Sequence, residues 1–167
     1  MTIVVTDTNI FLDLIQSGAL DGFFQLPYDI RTTDLVLHEI EKPEQQRALE
    51  KFITSGRLTV LELDAREIGA ALQLTTQATL GRITDRSVLL KGIQLQCIVL
   101  SGDRALRNEC EHRGLEVHGS IWIFREIWQA GFYDEPQLLA MLDELAHNVR
   151  LPAQELDKLR NDIKNKA

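Results

Sequence analysis

Two apolar runs do most to limit what this chain can fold into. Ile3-Val4-Val5 and Cys97-Ile98-Val99-Leu100 are short and continuous rather than alternating, so the strands they form must be covered on both faces. That is the condition of a parallel sheet sheathed by helices. A strand over residues 2–6 leads into a helix that begins near Thr8 or Asn9, both good N-cap types, with Ile10, Leu14 and Ile15 turned inward. A second strand falls at 29–32, then a helix from Asp34 anchored by Leu35, Val36 and Ile40, and a helix over 44–55 that Gly56 ends. A third strand spans 58–63, and helices follow over 65–77 and 84–95. The strand at 97–101, a helix over 103–114 closed by Gly114, and a short strand at 115–119 complete the pattern. Alternation of this kind predicts an α/β fold, a three-layer α/β/α sandwich on a central parallel sheet.

The rest of the chain is helical. Leu138, Leu142 and Leu145 recur at i, i+4, i+7, and Leu156, Leu159 and Ile163 at i, i+3, i+7, stripes that pack against the body or against a partner subunit. We therefore expect a main domain over 1–131 and a C-terminal helical extension over 132–167, with a homodimer as one use of that extension. Trp122, Phe124 and Trp128 lie in an apolar helix and read as core or interface; no aromatic platform for single strands is evident. At 167 residues and 44% apolar content the chain can bury a sizeable core. The longest apolar runs fall far short of a bilayer span, and Met1 leads into a strand rather than a basic, apolar leader, so a cytoplasmic protein with no membrane partner is expected. Cys97 and Cys110 lack metal-ligand spacing and read as buried thiols. With 18 basic and 25 acidic residues the net charge is −7, which argues against broad polyanion binding but not against a local basic rim.

Ligands of open parallel sheets sit outside the carboxyl ends of the strands. Asp7 stands at that end of the first strand, and Asp103 just past the 97–101 strand, behind Ser101 and Gly102. Asp85 opens a helix, and Glu39 lies near the end of the helix after the second strand. Taken singly, each acid is as readily a helix cap as a ligand, because Asp is favoured at helix starts and 25 acids must fall somewhere. Four carboxylates in one crevice, however, repel one another and call for a cation. Hard divalent ions such as Mg²⁺ or Mn²⁺ suit an all-oxygen site with open water positions. The chemistry such a site favours is metal-assisted phosphodiester hydrolysis.

The order of these motifs resembles the PIN-domain family of metal-dependent nucleases. "VVTDTN", with Asp7-x-Asn9, sits where that family has its opening strand and Asp-x-Asn; "DLVLHEI" supplies Glu39, "TDRSVLLKG" supplies Asp85, and "CIVLSGDRALR" supplies Asp103 after a Ser-x-Asp strand end. The tail, "GSIWIFREIWQAGF" and beyond, is similar to a bacterial toxin-type subgroup, so the likeness covers nearly the whole chain. It implies a PIN-like fold with Asp7, Glu39, Asp85 and Asp103 as metal-binding and catalytic acids. It implies also that Asn9 orients a carboxylate and that Ser101 hydrogen-bonds beside the site. Arg86, Arg104 and Arg107 are candidates for phosphate contact. Mg²⁺ or Mn²⁺ is the implied cofactor and RNA the implied substrate. A small DNA-binding antitoxin that masks the site with a basic side chain is the implied partner.

Two other readings compete. "SGDRALR" resembles the Gly-Asp motif of haloacid dehalogenase-type phosphatases, with Asp7 as nucleophile, but that chemistry needs an acid where Asn9 stands. A PIN-like module could also bind RNA or protein without cutting; against this, an abandoned metal site has no reason to keep four mutually repelling acids.

Overall fold

The computed structural model describes residues 1–74, 76 and 80–166. Its five strands are β1 (Thr2–Thr6), β2 (Tyr28–Thr33), β3 (Leu58–Leu61), β4 (Ile98–Leu100) and β5 (Val117–His118). Helices α1 (Thr8–Ser17), α2 (Leu20–Gln25), α3 (Asp34–Glu39), α4 (Pro43–Thr54), α5 (Ala65–Gln73), α6 (Ile83–Leu95) and α7 (Arg104–His112) lie between them. Three more follow: α8 (Ser120–Ala130), α9 (Glu135–Leu145) and α10 (Ala153–Asn165). All strand pairs are parallel, in the order β3-β2-β1-β4-β5. This is the α/β/α sandwich that the continuous apolar runs predict.

β1 is central. Val4 pairs in register with Ile30 on one side and Ile98 on the other, and Val4, Val5, Val99 and Leu100 are fully buried. Burying each such side chain contributes about 1.5–3 kcal/mol relative to exposure. The chain first winds outward through β2 and β3, then returns to place β4 on the other flank of β1. The reversal leaves a topological switch point between the carboxyl ends of β1 and β4, and there the Asp7 amide donates to the Leu100 carbonyl at 3.0 Å.

Elements differ from the sequence expectation mostly at their ends. α1 does begin at Thr8, but its cap is Asp7, whose Oδ1 accepts from the Ile10 amide at 3.1 Å. α5 ends at Gln73 rather than at 77, Leu74 being its C-cap; residues 75 and 77 of the expected helix lie outside those described. α2 was not foreseen. It carries Gly22 at a point where a Cβ would come within 2.7 Å of the Tyr133 ring, so glycine is kept there for close approach and the helical pattern is weakened. Cys97 and Cys110 are buried free thiols, and burial pushes them up to about 11 and 12.

The tail helices are part of the same core. α9 packs on α1, and α10 on α8 and α9, while Leu138, Leu142, Leu145, Leu156, Leu159 and Ile163 all lie in the main hydrophobic cluster. A buried polar knot adds to this: Asp13 of α1 accepts from Ser120 Oγ at 2.7 Å and from Asn148 Nδ2 at 2.8 Å. Among the described residues no helix is long and apolar enough to cross a membrane.

Candidate active site

Asp7 leaves the end of β1 and is 3% exposed. Its Oδ1 caps α1, and its Oδ2 accepts a short hydrogen bond from Ser101 Oγ. Ser101, fully buried at the end of β4, also accepts from the Asp103 amide at 3.0 Å. One hydroxyl thus ties together the two strand ends and two of the four acids. Asp103 in turn caps α7, accepting from the Leu106 amide at 2.8 Å. Burial drives the Asp7 carboxyl up to about 7, against the pull of its Ser101 and Ile10 hydrogen bonds, and the nearby Asp85 and Asp103 charges push the same way.

The other two acids come from the β2 side. Thr33 at the end of β2 caps α3 through the Val36 amide and pairs with Ser87 of α6 at 2.9 Å. This buried hydroxyl contact fixes α3 against α6, and with them Glu39 and Asp85. Glu39 Oε2 accepts from Thr8 Oγ1 at 2.6 Å. Its Oε1 meets the guanidinium of Arg82 at 3.2 Å, and Arg82 Nε lies 3.3 Å from Asp85 Oδ2. Asp85 is mostly buried; its pKa is raised chiefly by that burial and also by Asp103 and Glu39, with Arg82 opposing. Arg82 is correspondingly raised, most by Asp85.

The four expected acids form a chain of electrostatic neighbours: Asp7 senses Asp85 and Asp103, and Asp85 senses Asp103 and Glu39. They do not stand in a ready-made ligand set: among the described residues no three His, Cys, Asp or Glu side chains are placed to hold a metal together. The cation in place between Glu39 and Asp85 is Arg82. As donors they suit a hard divalent ion, being all carboxylate, partly desolvated and mutually repelling.

Sequence reasoning missed Arg82 and Thr8. Arg82 stands three residues before Asp85, the i,i+3 spacing that lets side chains meet on a helix, and that spacing was its one available signal. Thr8, rather than Asn9, steadies Glu39; among the described residues the Asn9 carboxamide makes no hydrogen bond. Arg86 is turned away from any phosphate role, since its guanidinium donates to the carbonyls of Leu80 at 2.8 Å, Leu74 at 2.8 Å and Ala71 at 3.2 Å. Arg107 donates to the Ser101 carbonyl at 3.2 Å, and with Arg104 it lines a cavity next to the crevice.

Fold and crevice together define a parallel α/β protein whose acids gather at the topological switch point of its sheet. A family model described as "DUF3368: PIN domain" matches residues 3–165, and the chain belongs to the PIN-domain family, which commonly includes nucleases. That membership sets aside the haloacid dehalogenase reading, as Asn9 already indicated. No curated protein matches the chain. Among solved structures it is similar to a PilT N-terminus domain protein from the hyperthermophilic archaeon Sulfolobus solfataricus P2, at 10% identity and a TM-score of 0.43, over 79% of this chain and 96% of that one.

Proposed function

We propose that this protein is a metal-dependent endoribonuclease that hydrolyses RNA phosphodiesters at the Asp7, Glu39, Asp85 and Asp103 crevice. The observation that carries the reading is Asp7: a carboxylate nine-tenths and more buried at the switch point, beside Asp85 and Asp103. An acid so placed is costly in its charged form unless a cation joins it. Asp7, Asp85, Asp103 and Glu39 would hold Mg²⁺ or Mn²⁺, which when bound supplies a water of lowered pKa and charge compensation at the leaving oxygen.

The chain's own residues do the positioning. Ser101 keeps Asp7 and Asp103 in fixed relation, and Thr8 orients Glu39. Ionised Asp7 accepts two hydrogen bonds and still has lone pairs for a cation. The seat that Arg82 takes between Glu39 and Asp85 supports masking of the crevice by a basic side chain of a small DNA-binding antitoxin. On this reading the protein is the toxin of such a pair.

Replacing Asp7 by Asn should abolish Mn²⁺-dependent cleavage of a panel of structured RNAs; cleavage at the native rate by that variant would sink the assignment. A second reading has its own observation: with Arg82 among the acids and no three of the described acids set for one ion, the fold would serve as a binding module that does not cut. Calorimetric titration with Mn²⁺ separates the two, because a module that binds no metal at millimolar concentration has no hydrolytic route through these acids.

A further inference from the structure

Beyond Gly102, on the β5 side of the crevice, lies a cavity of about 600 Å³. Its walls come from the start of α7, the end of β5, the first half of α8, the 150–152 turn and α10, so the tail closes one side of it. Arg104, Arg107, Arg125, Arg150 and Lys158 line it, with Glu155 as the one carboxylate. In a chain with 25 acids to 18 bases, five cations around one cavity is the reverse of the overall balance. Arg107 is held by the Ser101 carbonyl and Arg125 by Asp162 at 3.2 Å. Among the described residues Arg104, Arg150 and Lys158 have no carboxylate partner, and all three are exposed. Unpaired cations at such density repel one another, and a polyanion that bridges them relieves the strain.

The same cavity has a flat aromatic wall that the sequence did not announce. The Trp122 and His118 rings stack at 4.2 Å and 6°, with His118 steadied by Glu116 at 2.7 Å, and both rings line the cavity. Cations for phosphates beside a planar surface for a base are the two elements of single-strand recognition. Continuity with the acids fixes the direction: Gly102 and Arg104 flank Asp103 in sequence and belong to the cavity wall.

We propose that this cavity binds the single-stranded nucleic-acid segment flanking the scissile phosphate, with its phosphates on Arg104, Arg150 and Lys158 and a base against the Trp122–His118 wall. The proposal rests on the nuclease reading for its substrate and adds where the strand runs. It is tested without metal or turnover, by fluorescence anisotropy of a labelled 12-nucleotide single-stranded RNA with the full chain in EDTA. The double variant Arg150→Glu/Lys158→Glu should bind at least tenfold more weakly, with the slope of log affinity against log salt reduced by about 1.4, roughly 0.7 per lost phosphate contact. The variant Lys42→Glu/Arg47→Glu makes the same charge change at exposed positions at and just inside the start of α4 and should lose less than threefold. Equal loss in the two variants, native-like binding by the first, or no RNA binding by the native chain each overturns the proposal. So does an Arg150→Glu/Lys158→Glu chain that keeps RNA but loses an acidic peptide, which would make the cavity a protein site. A native chain that binds the RNA through these residues yet never cuts it leaves the cavity standing and removes the nuclease.

Discussion

Asp7 serves two ends that conflict. As an N-cap and a partner of Ser101 it holds the switch point together, yet its burial favours the protonated form, up to a pKa of about 7 against an ordinary 3.8. Between those values the folded chain binds a proton that the unfolded chain has released, so this group's stabilising effect is full below about 3.8 and is lost as pH rises through about 7. Asp7→Asn escapes that loss. In EDTA at pH 8 the variant should melt above the native chain by several degrees, and the gap should close as pH falls toward 4; a lower melting temperature at pH 8 would mean that the carboxylate is stabilised there. Arg82 supplies the second test at this scale. Its guanidinium competes with any cation for Asp85 and Glu39, so Arg82→Ala should tighten Mn²⁺ binding about three- to tenfold by calorimetry, roughly what loss of a partly screened charge at this range allows. Weaker binding would show that Arg82 helps to assemble the ligands. The positions of Asp7 and Asp103 were legible because polar residues just after buried strands have one edge to go to, whereas Glu39 and Asp85 lie on helices and were suggested by the resemblance. The roles of Thr8 and Arg86, and the reach of Arg82 to Glu39, were not legible, since they depend on where α1, α3, α5 and α6 meet rather than on local pattern.

At the scale of elements, what the sequence carries best is the apolar run, and what it carries worst is close approach. β1 and β4 were readable from continuous β-branched stretches. α2 was hidden by Gly22, whose reason is the Tyr133 ring more than a hundred residues away. Gly92 in α6 is a parallel case: a Cβ there would lie 2.7 Å from a Val99 methyl, and Val99 is fully buried in β4. Gly92→Ala gains up to about 1 kcal/mol in helix propensity, but it pushes α6 off the sheet at a cost of about 1–3 kcal/mol. Urea unfolding should therefore give a net loss of stability; a gain would mean that α6 can slide at no cost. The Asp13 knot was equally illegible, because Ser120 and Asn148 are 107 and 135 residues from the acid they serve.

For the whole molecule, the question the leucine stripes raised is whether residues 132–167 are an appendage or part of the body. Leu142 and Leu159 are fully buried and Leu138, Leu145, Leu156 and Ile163 nearly so, all in one cluster with the strands and α1. Removing them exposes their partners on α1 and α8 as well as the Asp13 carboxylate, which loses its Asn148 donor. Six large side chains at about 1.5–3 kcal/mol each together match the whole typical net stability of a domain, about 5–15 kcal/mol. A chain ending at residue 131 should accordingly show no cooperative thermal transition and should bind a hydrophobic dye in the manner of a loosely packed globule. A cooperative melt within a few degrees of the full chain would make the tail an appended unit. The same cut would take Arg150 and Lys158 from the basic cavity, so in the full chain the tail that completes the core also supplies two of the three cations there that lack a carboxylate partner.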